Sequence, residues 1–171
     1  MGDMSVERDH YHFMKMALAM AKRAARQEEV PVGALIVQEG RVVARAHNQT
    51  KARHDPTAHA EMIVLQSASQ SIRNERLLNT VLYVTKEPCP MCAGAIVQAR
   101  IPLVVFGARD PKGGACGSVL RVIPNKKLNH RPVVVRDVLG DEAAALLKEF
   151  FQERRGKMKS HKKLVEAGSN D

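Results

Sequence analysis

The sequence predicts an α/β domain of three layers, α/β/α, with helices on both faces of a mixed sheet. Three observations predict it. Segments with apolar residues every three or four positions alternate with short runs of β-formers through the middle and end of the chain. A Glu39-Gly40 pair sits between two such runs and reads as a hairpin turn, so at least one strand pair is antiparallel. The 171 residues are 44% hydrophobic, with no internal repeat and no linker that would split them, which suits one core.

Taken in order, Phe13, Met14, Ala17, Leu18, Ala21, Ala24 and Ala25 recur at helical spacing and predict a helix over 9–27, with Lys15, Lys22, Arg23 and Arg26 on the other face. Ala34 to Val37 is a short buried strand, and 41–46 is its return. Residues 48–57 are polar and irregular, and Pro56 turns Asp55 away from helix. Asp55 or Thr57 is expected to cap a helix starting near His59 and ending between Ser71 and Asn74. Thr80 to Thr85 is the third strand, and 90–100 is a helix with proline in its first turn, where a missing donor costs nothing. Residues 103–107 are the fourth strand, 110–117 a Gly-rich loop, and 132–138 contain the fifth strand. Asp141 starts a last helix through Leu146, Leu147, Phe150 and Phe151. The domain is expected over 1–156, with 157–171 as a basic, flexible tail that ends in a mobile Ser169-Asn170-Asp171.

Composition narrows the function classes. No stretch of about 18 apolar residues exists, so a membrane span is not expected. Asp3, Glu7, Arg8 and Asp9 stand where a secretory signal would be apolar, so the expected location is the cytoplasm. With no export signal, three cysteines, two of them in C-x-x-C, point to metal or redox chemistry rather than a disulfide frame. The net charge is +9. Arg154, Arg155, Lys157, Lys159, Lys162 and Lys163 cluster near the C-terminus, and Arg121, Lys126, Lys127 and Arg131 fall in one loop region. Such clustering fits phosphate contacts, although a solvated basic surface has the same composition.

The chemistry lies in two strings. Pro56-Thr57-Ala58-His59-Ala60-Glu61 contains H-x-E, and Glu87-Pro88-Cys89-Pro90-Met91-Cys92 contains P-C-x-x-C, thirty residues further on. One histidine and two cysteines make a three-ligand zinc set, and an open fourth position is what a hydrolytic zinc needs to hold water. Cys89 and Cys92, at i and i+3, share one face of a helical turn, and a helix start favours thiolate. His59 supplies the third ligand and Glu61 the proton carrier, a relation that i and i+2 allow only at an irregular helix onset. Either string alone is ambiguous, because C-x-x-C also serves redox pairs and structural sites and H-x-E recurs by chance. Cys116 is expected to be an ordinary loop residue.

H-x-E followed by P-C-x-x-C is the signature of the zinc-dependent nucleobase deaminases. With Glu29 to Ala34, His54 to Glu61, Glu87 to Ala95, Val105 to Asp110, Ala115 to Ser118 and Asn129-His130-Arg131, the chain resembles the bacterial tRNA adenosine deaminases over nearly its whole length. The resemblance implies a cytidine-deaminase-like fold with a mixed five-stranded sheet. It implies conversion of adenosine to inosine at the wobble position of a tRNA anticodon, chiefly an arginine tRNA, by a homodimer with one zinc per subunit. Matching positions imply His59, Cys89 and Cys92 on zinc, Glu61 as proton shuttle, and Asn48 on the flipped base. Val32 and Ala60 match pocket-lining positions, Asp110 a contact to the RNA backbone, and Phe150, Phe151, Arg154 and Arg155 the C-terminal RNA-contacting segment. Lys86 departs from the pattern, since an apolar residue usually precedes Glu-Pro-Cys.

Read as residues alone, these positions have other uses: Asn48 suits a turn cap, the two phenylalanines a core, Asp110-Pro111 a turn, and Arg154 and Arg155 a solvated face. Two other functions fit the strings as well, a deaminase of free guanine or cytidine and a non-catalytic zinc-stabilised RNA-binding module.

Overall fold

The computed structural model describes the backbone of residues 4–168 and, within it, the side chains of residues 9–158 and 160. Four helices and five strands follow in the order α1 (Met4–Arg26), β1 (Gly33–Gln38), β2 (Arg41–His47), α2 (Ala60–Ile72), β3 (Thr80–Lys86), α3 (Pro90–Gln98), β4 (Leu103–Ala108), β5 (Val133–Val135) and α4 (Gly140–Gly168). The strands form one mixed sheet in the order β2-β1-β3-β4-β5, with β2, β1 and β3 antiparallel and β3, β4 and β5 parallel. At the β1–β2 turn Glu39 and Gly40 both have positive φ, 49° and 73°, the geometry that two-residue hairpins require.

Alternation along the strands explains the layers. Ala34, Ile36, Leu82, Val84, Val104 and Phe106 face the core shared with α2 and α3. Leu35, Val37, Tyr83 and Val105 face the opposite way, onto Phe13, Met14 and Ala17 of α1. A smaller apolar cluster of Leu18, Ala108 and Ala143 joins α1 to α4. Because both faces are covered, the inner strands are apolar on both sides, which is why Leu82 to Val84 reads as a continuous run.

The register brings one end of the sheet together. Gly33 at the start of β1 pairs with His47 at the end of β2, Ala34 pairs with Val84 of β3, and Lys86 at the end of β3 pairs with Ala108 at the end of β4. Asn48, Val32, Glu87 and Arg109 therefore leave the sheet at the same edge. In open α/β sheets this edge is where sites form.

The fifth strand is Val133–Val135, inside the expected 132–138. Residues 157–168, expected as a flexible basic tail, continue the last helix to Gly168. A Cβ at Gly156 would meet nothing within 4 Å, so this glycine sits on an open helix face. Its helix penalty of about 1 kcal/mol is offset by the good helix formers that follow it. Ser169, Asn170 and Asp171 lie outside the described residues.

Gly33 is where α1 and β1 meet most closely. A Cβ there would lie 2.1 Å from the Ala17 carbonyl oxygen and 2.6 Å from the Ala21 nitrogen, both backbone atoms that cannot swing away. Gly33→Ala should therefore lower unfolding free energy by about 3 kcal/mol or more, read by urea denaturation. A change below about 0.5 kcal/mol would show that this contact does not fix the helix.

Candidate metal and catalytic site

Each of the two helices at this edge begins on a residue that could hold a metal ion. His59 is the N-cap of α2 (φ −72°, ψ 152°) and Cys89 is the N-cap of α3 (φ −73°, ψ 171°), both extended and neither using its side chain to cap. Pro90 then opens α3 and Cys92 follows one turn on. His59 Nδ1 lies 3.6 Å from Cys89 Sγ and 3.5 Å from Cys92 Sγ, and the three ligand atoms all lie within 4.8 Å of one another. A tetrahedral zinc with bonds of about 2.3 Å to sulfur and 2.0–2.1 Å to nitrogen separates N from S by about 3.5–3.6 Å. The donor set and its spacing thus fit zinc.

The N-cap geometry also resolves the i, i+2 difficulty. His59 is not yet helical, so its side chain need not diverge from that of Glu61, which sits in the first turn of α2. Glu61 is 4% exposed, and burial pushes its carboxyl above the usual carboxylate range. Cys89 is held down at about 4, first by a hydrogen bond from the Cys92 thiol and then, against desolvation, by His59 and the Cys92 N–H. Cys92 is pushed up by the same shared proton and by burial, with Glu61 also bonded to it. His59 is raised, chiefly by Cys89.

Two buried glutamates build the walls. Glu29, 1% exposed, accepts hydrogen bonds at Oε1 from the Lys51 and Ala52 N–H groups (2.9 and 2.8 Å) and at Oε2 from Thr50 Oγ1 (3.2 Å). This fixes the polar loop between Asn48 and His59. The expected cap is also corrected here. Asp55 Oδ1 bonds Thr57 N and Oγ1 at 2.8 and 2.7 Å in a local turn, and it is Asn48 Oδ1 that accepts the Ala60 N–H, at 3.0 Å. An N-cap side chain that is needed for metal cannot satisfy the helix donors, so a residue twelve positions earlier does. Asn48 Nδ2 has no partner among the described residues and is not enclosed. Val32 is buried and accepts the Asn48 N–H at 3.1 Å, while Ala60 is fully buried.

Glu87, 2% exposed, holds the Gly-rich loop. Its Oε1 accepts the Cys116 and Ser118 N–H groups at 2.9 and 3.1 Å, and its Oε2 accepts the Asp110 N–H at 3.0 Å and the Ser118 hydroxyl. Burial alone would raise its pKa, but these donors together hold it below the usual range. Gly114 makes room for it, because a Cβ there would lie 2.4 Å from Glu87 Cδ and 2.7 Å from the Asp110 carbonyl oxygen. Lys86 is an ion-pair partner of Asp110 at this rim, which accounts for its departure from the apolar residue expected.

The C-terminal residues stand apart from the His/Cys cluster. Phe150 is 7% exposed and Phe151 41%, their rings edge-to-face at 5.5 Å, with the Arg154 guanidinium 5.8 Å above Phe150. Phe150 is thus a packing residue, while Phe151, Arg154 and Arg155 are exposed. Lys157 reaches Glu28 Oε1 at 3.2 Å, bringing α4 to the residue beside Glu29. Cys116 is buried in the α2/α3-side core, where burial pushes its thiol up to about 12, and it takes no part in the metal set. Sequence reading missed the roles of Glu29 and Glu87. Both sit inside the motifs, but only their burial distinguishes them from surface glutamates.

A buried carboxyl beside a His/Cys/Cys donor set, at the edge of this sheet, defines a deaminase. The chain belongs to the MafB19-like deaminase family, whose model matches residues 8–155. More narrowly, it stands among the tRNA-specific adenosine deaminases. That of Bacillus subtilis (strain 168) is 45% identical over 151 residues, 88% of this chain and 94% of the relative. A solved structure from work on A-to-I editing by tRNA:A34 deaminases at the wobble position of transfer RNA is 46% identical, with a TM-score of 0.77 over 80% of this chain and 99% of that one. The cytidine-deaminase-like fold is shared with it. Guanine deaminase from Bacillus subtilis is 36% identical, with a TM-score of 0.55 over 57% of this chain and 63% of its own.

Two substitutions test the walls. Glu87→Gln places an amide donor against donors already aimed at the carboxylate, and should cost about 2–3 kcal/mol of unfolding free energy in urea. Gly114→Ala should lower activity while leaving bound metal, measured by elemental analysis, near one per chain; loss of metal in step with activity would mean that the loop supports the ligands rather than the rim.

Proposed function

We propose that this protein hydrolyses adenosine to inosine at the wobble position (34) of a tRNA anticodon, chiefly tRNA-Arg, releasing ammonia. The observation that carries the chemistry is Glu61, buried and protonatable beside three converging metal donors. Identity of 45% to a tRNA-specific adenosine deaminase over 88% of the chain supports the substrate. Zinc, one per subunit, would be held by His59, Cys89 and Cys92, and when bound supplies water acidified to a pKa near 7.

The chain's own residues do the rest. Glu61 accepts a proton from the water that adds to C6 of adenine and delivers it to the ring nitrogen. It then passes the second water proton to the amino group, which leaves as ammonia; adenine and water become hypoxanthine and ammonia. A carboxyl raised by burial suits both directions of this transfer near neutral pH. Asn48, its Oδ1 engaged by Ala60, offers Nδ2 as a donor to the base. Val32, whose carbonyl accepts the Asn48 N–H, and the buried Ala60 would line the base pocket. The Asp110 rim and the exposed Phe151, Arg154 and Arg155 of α4 meet the RNA around a flipped nucleotide.

No helix among the described residues is long and apolar enough to cross a membrane. The proposed place of action is the cytoplasm, where tRNA is the substrate. The working form is a homodimer; a groove on the outer side of α2 and α3, lined in part by Met62, Leu65, Ala95 and Ala99, offers an apolar surface for it.

An anticodon stem-loop of an arginine tRNA with adenosine at the wobble position should yield inosine and ammonia when zinc is present, with free adenosine, cytidine and guanine turned over far more slowly. No inosine from the stem-loop, or faster release of ammonia from free guanine, overturns the reading. Glu61→Ala should keep its zinc and lose about 10²–10⁴-fold in turnover.

A further inference from the structure

The Gly-rich loop has a second, outer side. Between it and the sheet lies a cavity of about 220 Å³ whose lining includes Gly117, Ser118 and three arginines, Arg109, Arg121 and Arg136. These arginines come from three separate segments. Arg109 follows β4, Arg136 follows β5, and Arg121 is placed by an isolated backbone bridge to Cys116. Guanidinium groups repel, so their convergence on one concavity needs compensation. Part of it is present. Arg109 clamps Asp137 through Nε and Nη2 at 2.9 and 2.7 Å, and Arg136 Nη2 donates to the Cys116 carbonyl at 2.9 Å.

The charge balance is nevertheless incomplete. Two carboxylates, Asp137 and the buried Glu87 behind the loop, stand near three guanidiniums. Among the described residues, Arg121 makes no ion pair, and its hydrogen bonds are made by its backbone. The wall opposite Arg136 is bare backbone. Gly117 has φ +126°, and a Cβ there would stand 3.5 Å from Arg136 Nη2. A forked donor beside open space and an unpaired neighbour is the arrangement that takes an oxyanion.

We propose that Arg121 and Arg136 bind a backbone phosphate of the RNA, away from the target nucleotide, and that the Arg109–Asp137 pair holds the cavity open. The inference rests on the tRNA reading above. A phosphodiester fits better than a small free anion because of where the cavity lies. Cys116 and Ser118 donate their N–H groups to Glu87, two residues before Cys89, so one loop has the catalytic rim on its inner side and the arginines on its outer side. An RNA strand leaving the rim meets the arginines next. Lys126, Lys127 and Arg131, which share the basic loop region with Arg121, do not line the cavity.

The test is stem-loop affinity by fluorescence anisotropy across a salt series. Arg121→Ala with Arg136→Ala should weaken binding roughly tenfold near physiological salt and reduce the salt slope by about 1–2, whereas Arg121→Lys should keep most of the slope. Metal content and turnover at saturating RNA should hold, so the loss appears in KM. Wild-type binding and deamination with an unchanged affinity and slope in the double variant overturns this site alone. Wild-type failure to bind or deaminate the stem-loop overturns the tRNA reading, and this site with it. If the double variant is unfolded by circular dichroism, Arg121→Glu, whose side chain supports nothing else, decides: an unchanged KM rejects the site.

Discussion

Three donor atoms from segments thirty residues apart must meet within a few ångströms, and the fold meets that demand by placing two of the donors on helix N-caps. His59 and Cys89 each stand at the last extended residue before a helix. Their side chains emerge where the backbone changes direction, and their helices start from the same edge of the sheet because β2, which precedes α2, and β3, which precedes α3, both run antiparallel to β1. A slip of one residue in the β1–β3 register would turn Cys89 away from His59. The apolar alternation of Ala34, Ile36, Leu82 and Val84 is what prevents that slip.

Using caps as ligands leaves helix donors and loop backbones without partners, and the fold supplies them from inside. Asn48 serves α2, Glu29 serves the loop from Thr50 to Ala52, and Glu87 serves the loop from Asp110 to Ser118. Burying a carboxylate costs several kcal/mol unless it is hydrogen-bonded, and each of these glutamates accepts at least three hydrogen bonds. Polar loops that would otherwise wander become walls of defined shape. That rigidity holds the His59, Cys89 and Cys92 donor atoms and the Asn48 side chain in defined positions.

Much of this was legible in the sequence because it follows from periodicity or from motif chemistry. All nine elements were placed, since strands such as Thr80 to Thr85 and helices such as that carrying Phe13 and Met14 have unmistakable spacing. His59, Cys89 and Cys92 were legible as a set because no other chemistry needs that trio at that spacing. What failed was local. Asp55 and Thr57 look like caps, yet Asn48 does that work from a distance, and no short-range pattern encodes a partner twelve residues away. The Lys-rich stretch after Gly156 reads as a tail, but a glycine stops a helix only where the chain then adopts a left-handed turn, and Lys157 and Met158 continue α4 instead. The arginine cavity was illegible for the same reason, because Arg109, Arg121 and Arg136 become neighbours only through β4 and β5.

The Lys86–Asp110 pair has a consequence for how a charged partner arrives. A lone carboxylate at the mouth would act as a monopole, whose potential reaches outward and repels a polyanion well before contact. Paired with an ammonium, it becomes a dipole, and a dipole's potential dies away much faster with distance. Seen from afar the mouth is neutral and the approach is left to the surrounding basic surface; seen at contact, the carboxylate oxygen still has its shape and its acceptor. Under the proposed function, Lys86 would thus separate the encounter from the recognition, leaving the Asp110 carboxylate silent in one and specific in the other.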